Sequence, residues 1–422
     1  MGQTAAEKIF AAHTVQGTPG GGQFVTARVD RLLLNDISGP MAFRQMELMG
    51  TKRPVAPDQV VLVNDHFVPP KDLASAANLN IMRRFADEHG IVHFYDFNEG
   101  GIEHTLLVEQ GLVAPGELIA GGDSHTCTYG AFGALGIGFG STDMAALLAM
   151  GELWFMVPET IRFDITGRRR AYVTGKDVIL RIIGQIGVDG AAYLCMEFGG
   201  DGLRDFNMDE RMAVCNMAVE AGAKTCIVPP DDVTRDWSDR HLHRPYAEYA
   251  SDANASYVAR HTVDLNELPP LVAAPHSPGN VTSVDAVVGT RVNQVYIGNC
   301  ANGTMTDLRQ VAAMVRGRRV AKGVRCIIVP ATQAIYRQAL AEGLLDLFVS
   351  VGMTVSAPTC GACFGGHMGV LDRDEVAVAT TNRNFHGRMG HPDARIYLAN
   401  AYVAAAAAVA GEIVPPEAVV SA

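Results

Sequence analysis

The sequence predicts an α/β fold whose sheets are mainly parallel. Apolar, β-rich runs recur along the chain, each is followed at once by polar residues, and a helical segment often comes next. Four such runs are Gln59–Val63 before Asp65 and His66, Gly116–Ala120 before Asp123–Thr126, Thr225–Val228 before Asp231, and Glu375–Ala379 before Asn382 and Arg383. Because ligands of such folds bind beyond the carboxyl ends of the strands, the polar residues predict one shared site.

Local patterns place several helices and two domain boundaries. Helices are predicted for Ala5–Ala12, for Ser141–Leu153 with Ser141 as N-cap, and for the alanine-rich run at 403–410. A basic turn near residue 160 and a proline-rich region at 235–280 interrupt the pattern. The predicted domains are therefore 1–160, 161–278 and 279–422, a number that suits a chain of 422 residues.

Composition excludes several classes of protein. With 48% hydrophobic and 19% charged residues, the chain is globular rather than disordered. Its formal charge of −11 argues against non-specific binding to nucleic acid or to an anionic membrane. The eight cysteines are too few for a disulfide framework in a chain of this length, and the N-terminus has no apolar signal core. A cytoplasmic protein with neither a nucleic-acid nor a membrane partner is expected.

Three cysteines predict a metal centre. Cys360 and Cys363 flank a glycine on a turn that follows the predicted strand Met353–Ser356, and Cys300 follows a similar apolar run. Three thiolates at strand ends suit an iron–sulfur cluster or a zinc ion, and three ligands leave one metal position open for substrate. A zinc hydrolase would use these cysteines with a histidine such as His66 or His367.

Two segments resemble the large subunits of 3-isopropylmalate dehydratases, in the aconitase superfamily. They are Pro358–Leu371, which contains Cys360-Gly361-Ala362-Cys363, and Thr380–Arg388. The resemblance spans nearly the whole chain and implies three α/β/α domains of aconitase type, without the swivelling fourth domain of single-chain aconitases. It implies that Cys300, Cys360 and Cys363 hold one [4Fe–4S] cluster in which one iron lacks a cysteine ligand.

Histidines beside carboxylates predict proton transfer. Asp65-His66 and Asp123-Ser124-His125 pair the two residue types, and His104 follows the apolar run Val92–Tyr95. A carboxylate fixes the tautomer of a histidine and raises its basicity. The resemblance implies that His66 protonates a departing hydroxyl, that Asp123 and His125 position substrate and water, and that His104 also lies at the active site.

The substrate-binding residues come mainly from the C-terminal segment. Arg383 and Arg388 lie on a glycine-containing loop, and the planar fork of each arginine suits a carboxylate. The resemblance assigns both arginines to carboxylate binding, places Glu220 and Asn216 near iron-bound water, and adds Ser124 and Asn382 as substrate contacts.

The predicted activity is that of a hydro-lyase, moving a hydroxyl between adjacent carbons of a hydroxy dicarboxylic acid. 3-Isopropylmalate is the first choice, with homoaconitate-type acids, dimethylmalate and citraconate left open. Asn299, Ala301, Thr304 and Asn35–Ser38 depart from the family pattern, which leaves the substrate open but not the cluster. A separate small subunit would supply the missing domain and the base that removes the carbon-bound proton. An apo-form RNA-binding iron sensor is a rival of another class, which the acidity opposes.

Overall fold

The structure, a computed structural model, describes residues 2–420 and contains the predicted α/β layers. Its strands form four sheets, two of them wholly parallel and a third mostly parallel. In the described part of the chain no helix has both the length and the apolar character needed to cross a bilayer.

The first part of the chain builds a five-stranded parallel sheet in the order β5-β4-β3-β6-β7 and a three-stranded antiparallel sheet in the order β1-β2-β8. The strands are β1 Thr14–Gly17, β2 Phe24–Arg28, β3 Arg31–Asn35, β4 Val60–Val63, β5 His93–Tyr95, β6 Leu118–Gly121, β7 Leu135–Gly138 and β8 Glu152–Met156. The helices are α1 Ala5–His13, α2 Ser38–Leu48, α3 Leu73–His89, α4 Glu103–Glu109 and α5 Ser141–Met150. Every residue of β4 and β6 is buried, as expected for strands covered on both faces.

The middle part builds a parallel four-stranded sheet in the order β11-β10-β9-β12. Its strands are β9 Thr160–Thr166, β10 Cys195–Gly199, β11 Thr225–Ile227 and β12 Ala259–Asp264, and its helices are α6 Gly175–Ile186, α7 Met208–Asn216 and α8 Asp232–His241. A 3-10 turn, Met217–Ala221, continues α7 and stops at Gly222, whose φ is 83°.

The last part builds a seven-stranded sheet in the order β14-β13-β19-β18-β15-β16-β17, in which β13 runs antiparallel to both β14 and β19 and the other neighbouring pairs are parallel. The strands are β13 Leu271–Ala273, β14 Val281–Ser283, β15 Gln294–Ile297, β16 Arg325–Ile328, β17 Thr354–Val355, β18 Val376–Ala379 and β19 Arg395–Ala399. The helices are α9 Met305–Val315, α10 Gln333–Ala341, α11 Leu344–Ser350, α12 Ala401–Ala410 and α13 Pro416–Val420. The alanine-rich run forms the buried helix α12, as predicted.

One predicted helix is wrong in its extent. The helix from Ser141 ends at Met150, its N-cap is Gly140, and Leu153 lies in strand β8. Gly151 adopts a left-handed φ of 74°, which ends the helix, and the next residues pair with β2. The apolar residues after Gly151 thus form a strand because they pair with β2, which lies far away in the sequence.

The predicted division at 160 and 278 stays a prediction. The four-stranded sheet begins at Thr160, close to the first boundary, and ends at Asp264. Leu271–Ala273 precedes 279, yet it pairs with β14 and β19 of the seven-stranded sheet. Met1, Ser421 and Ala422, at the ends of the first and last predicted domains, lie outside the described residues.

Candidate active site

The carboxyl ends of β4, β6, β15 and β18 lead into one cavity of about 160 Å³. The predicted site residues that line it are Asp65, His66, His104, Asp123, Ser124, His125, Cys300, Cys360, Cys363, Asn382, Arg383 and Arg388. Asn216 and Glu220 reach the site through hydrogen bonds to lining residues. The structure therefore brings together residues up to 323 positions apart in the chain, from Asp65 to Arg388.

His66 is held by its neighbour in sequence. Its Nδ1 lies 2.6 Å from Asp65 Oδ1, and its Nε2 lies 3.8 Å from Asp123 Oδ2. Burial alone would lower the pKa of His66, but the charge and hydrogen bond of Asp65 raise it well above the usual value. The imidazole is thus fixed in orientation and kept ready to carry a proton.

Asp123 joins the other two histidines. It is the N-cap of the 3-10 segment Ser124–Phe132, where its Oδ1 accepts from the His125 backbone N–H (2.7 Å) and lies 2.9 Å from His104 Nε2. Burial opposes its ionisation, but hydrogen bonds with both histidines hold the pKa of Asp123 well below its usual value.

His125 connects this group to the C-terminal arginine. Its Nε2 lies 2.9 Å from Glu220 Oε1, which also accepts from Arg383 Nε at 2.7 Å. Burial lowers the pKa of His125, but the hydrogen bonds with Asp123 and Glu220 outweigh it and raise the value to about 9. Glu220 lies in the turn after α7, so a residue from the middle part of the chain connects His125 of the first part with Arg383 of the last part.

The arginines are anchored so that part of each guanidinium stays available. Arg383 donates through Nη2 to Ser124 Oγ (3.1 Å) in addition to its bond with Glu220. Arg388 donates through Nε to the Cys363 carbonyl at 2.6 Å. Both side chains line the cavity, where their remaining N–H groups suit carboxylate oxygens.

The three cysteine sulfurs face the same cavity. Gly361 has a φ of 61°, and a Cβ there would meet the Tyr296 hydroxyl, so glycine is required at position 361. Hydrogen bonding with Cys360 and the charge of Arg388 lower the pKa of Cys363 to about 5, although burial opposes this. Burial and the Cys363 charge raise the pKa of Cys300 well above its usual value.

Amide donors support one of these sulfurs, that of Cys300, as a metal ligand. Asn216 Nδ2 donates to Cys300 Sγ at 3.1 Å, and Asn382 Nδ2 donates to the same sulfur at 3.4 Å. Cys363 Sγ lies 3.5 Å from Asn382 Oδ1. Soft thiolates that accept N–H donors are the ligand type that iron–sulfur centres use, so these residues fit such a group.

Three buried charged residues of the site were not predicted. Asp36 accepts from the backbone N–H groups of residues 65–67 at 3.1, 2.9 and 2.9 Å, which shapes the turn that presents His66. Glu103 lines the cavity beside His104, and burial together with the charges of Asp65 and Asp123 raises its pKa well above the usual value. Lys176, at the start of α6, contacts the loop before Asn382. The sequence could have predicted Asp36 as a site residue, because it follows the buried strand β3 much as Asp65 follows β4. Nothing in the sequence pattern around Glu103 or Lys176 indicates a place in the site.

Comparison with known proteins identifies the class to which this fold and site belong. A sequence model of the aconitase family (aconitate hydratase) matches residues 7–291 and 285–411, and the chain belongs to that family. The predicted resemblance, the α/β fold of aconitase type and the assignment to the family's hydro-lyases are thereby confirmed.

Its relatives include two chains of nearly equal length. The chain is 56% identical over 421 residues to "3-isopropylmalate dehydratase large subunit 2" of Rubrobacter xylanophilus, covering 100% of this chain and 99% of that protein. It is 50% identical over 417 residues to the "3-isopropylmalate dehydratase large subunit" of Acetivibrio thermocellus, covering 99% and 100%. The holo-form of Thermococcus kodakaraensis aconitase X shares the fold, with a TM-score of 0.52, 11% identity and coverage of 90% and 89% of the two chains.

Proposed function

We propose that this chain is the large subunit of a 3-isopropylmalate dehydratase, which converts 2-isopropylmalate to 3-isopropylmalate in leucine biosynthesis. The observation that carries the proposal is the meeting of three cysteine sulfurs, two arginines and three carboxylate-paired histidines at one cavity. The names of the relatives agree with it. A reducing cytoplasm, where thiolate ligands persist, is the proposed location.

Cys300, Cys360 and Cys363 would hold a [4Fe–4S] cluster that has one iron without a cysteine ligand. When bound, such a group supplies Lewis acidity toward the substrate hydroxyl. Asn216 and Asn382, which donate to Cys300 Sγ, keep that ligand in place.

The protein's own residues handle protons and orient the substrate. The isomerisation removes a hydroxyl and the proton on the adjacent carbon as water, passes through a cis-alkene, and returns water in the opposite sense. His66, oriented by Asp65, protonates the departing hydroxyl, while Asp123 and His125 position substrate and water and His104 fixes Asp123. Ser124, Asn382, Arg383 and Arg388 bind the carboxylates.

The lining also favours a branched alkyl group. Besides the charged residues, Ile37, Ile102 and Phe364 line the cavity. A third carboxylate of a homoaconitate-type substrate would lose hydration against these side chains, whereas an isopropyl group gains from the contact. We therefore prefer 2-isopropylmalate to tricarboxylic acids, with dimethylmalate and citraconate as smaller alternatives.

A separate small subunit would complete the site. The histidines and carboxylates described above are engaged in orienting one another, and we propose that the base that takes the carbon-bound proton comes from the partner. A positioned base contributes about 10²–10⁴-fold, so the chain alone should show little turnover.

The test is to purify the chain anaerobically, confirm the cluster by absorption, and assay a panel of hydroxy acids with and without the small subunit. We expect turnover of 2-isopropylmalate only in the presence of the partner. Full activity of the isolated chain would overturn the two-subunit proposal, and a preference for tricarboxylic acids would overturn the substrate.

A further inference from the structure

Lys176 is a fully buried lysine behind the site. Its exposed fraction is 0%, and it occupies the second position of α6, whose first turn is fixed by a capping box between Thr174 and Asp177. An ammonium group is costly to bury unless acceptors surround it. Its Nζ donates to the carbonyl oxygens of Thr380 at 2.8 Å and Thr381 at 2.6 Å.

These two carbonyls belong to the loop that carries the substrate and sulfur contacts. Thr380 directly follows β18, and Asn382 and Arg383 come directly after Thr381. Asn382 donates to Cys300 Sγ, and Arg383 bonds Glu220 and Ser124. The ammonium group thus holds the loop through its backbone carbonyls, at the two residues that precede Asn382 and Arg383.

The start of α6 is itself fixed to the seven-stranded sheet. Asp177 Oδ2 accepts from Asn400 Nδ2 at 2.8 Å, and its Oδ1 accepts from the backbone N–H of Leu271 at 2.8 Å. Lys176 therefore projects from a fixed base, and a change in its contacts is transmitted to the loop rather than absorbed by the helix.

Lys176 also places a positive charge against the loop whose Asn382 contacts Cys300 Sγ. Burial lowers its pKa to about 8, and attraction to the negative charges of Cys363 and Asp307 opposes that shift. The group is therefore mostly protonated at neutral pH. Arg383 and Arg388 line the cavity that substrate enters. Lys176 is fully buried against the loop that contacts Cys300, so its charge stays there when substrate is bound.

We propose that Lys176 is a positioning residue that raises the reduction potential of the cysteine-bound cluster and holds the Thr380–Arg383 loop in its carboxylate-binding conformation. The inference rests on the proposed function for the cluster and the substrate. A nearby positive charge favours the more negative, reduced form of a cluster, because charge and hydrogen bonding tune such potentials. The loop contact acts separately, through geometry, because substrate binding depends on where Arg383 is held.

Two substitutions separate charge from hydrogen bonding. Lys176→Gln removes the charge but keeps a side-chain N–H donor, and Lys176→Met removes both while nearly preserving the shape. Lys8→Met is the matched control, because Lys8 also donates to a main-chain carbonyl, that of Ala250 at 2.7 Å, in a surface ion pair with Asp252.

The experiment uses the full chain with an anaerobically reconstituted cluster, and its complex with the small subunit. We expect both Lys176 variants to have a more negative midpoint potential than the wild type. Lys176→Met alone should raise KM about tenfold, because it loses both hydrogen bonds that hold the loop of Arg383, with kcat close to the wild-type value. Lys8→Met should change neither quantity.

An unchanged potential in Lys176→Gln, or an equal shift in Lys8→Met, would overturn the electrostatic role. If Lys176→Met does not fold, Lys176→Gln still decides that point. If the wild-type chain takes up no iron, the proposed function fails instead. The loop contact is then decided in the metal-free chain by hydrogen exchange at residues 380–383, which should be faster in Lys176→Met, and equal rates would refute it.

Discussion

The two sides of the cavity are built in different ways. On the histidine side, formed by His66, His104 and His125, each imidazole has a carboxylate partner at 2.6 to 2.9 Å. On the cysteine side, formed by Cys300, Cys360 and Cys363, the sulfurs of Cys300 and Cys363 contact amide side chains at 3.1 to 3.5 Å. The histidine side is thus organised by the protein alone, whereas the cysteine side is arranged to receive another group.

The largest expected effect is on the cysteine side. The proposed cluster should colour the anaerobically purified protein brown. In Cys360→Ser a hydroxyl replaces a soft thiolate ligand, so this brown colour and the activity should both be lost. Iron content and visible absorption of anaerobically purified protein measure this. Cys326→Ser is the control, because Cys326 is buried on β16, away from the cavity, and should retain both properties. A colourless wild-type protein loaded with zinc and fully active would contradict the cluster.

On the histidine side, Asp65→Asn should leave the cavity in place but lower kcat. The amide cannot fix the His66 tautomer or support its positive charge as the carboxylate does, so we expect a fall of about 10²–10⁴-fold. The measurement is steady-state kinetics of the complex, with Asp72→Asn, at the exposed N-cap of α3, as control. Unchanged kcat would show that His66 carries no proton in the reaction.

Arg383→Lys tests the residue that joins the two sides. It keeps the charge but cannot bond Glu220, Ser124 and a carboxylate through one planar fork, so transition-state binding should weaken by about 2–4 kcal/mol. The value of kcat/KM measures the loss, and Arg373→Lys, in an exposed ion pair with Asp393, is the control. An equal loss of kcat/KM in both variants would show that Arg383 has no specific role in substrate binding.

The smallest expected effect concerns how the two sides are attached. Glu109, on the helix of His104, accepts from Thr332 Oγ1 of the last part of the chain at 2.9 Å, and burial raises its pKa to about 7. Between the usual glutamate pKa and about 7 the folded state binds more protons than the unfolded state, so stability falls as pH rises through this window. Glu109→Gln should therefore be more stable than wild type by about 1–3 kcal/mol at pH 8, with little difference at pH 5. Thermal unfolding at the two pH values measures it. Exposed Glu99→Gln is the control, and the same stability gain there would contradict the assignment.

The sequence was informative where function follows a strand end. Asp65, His66, Asp123, Asn382 and the cysteines all follow apolar runs, so their convergence in a parallel fold was predictable. Lys176 was not, because it stands in an ordinary amphipathic helix start and its role depends on carbonyls more than 200 residues later.

Strand β8 shows the same limit in the fold. Its apolar residues continued the helical pattern from Ser141, and only the pairing with β2 decides that they are extended. Glu103 is comparable, because an acid beside a histidine in sequence gives no sign that it is buried among other carboxylates. Local pattern thus predicted the elements and the strand-end residues, while contacts between distant segments decided the rest.

The position of β19 between β13 and β18 has a consequence for the order of synthesis. All strands of the five-stranded sheet precede residue 139, whereas the seven-stranded sheet cannot close before Arg395–Ala399 has left the ribosome. At about 5–20 residues per second, that interval lasts on the order of tens of seconds. During it the histidine side can fold. The three cysteines of the site are synthesised only from residue 300 onward, and from then until β19 is made they lie on an incomplete sheet, exposed to oxidants. The proposed cluster is therefore best assembled after translation, when a finished sheet can hold all three sulfurs in place.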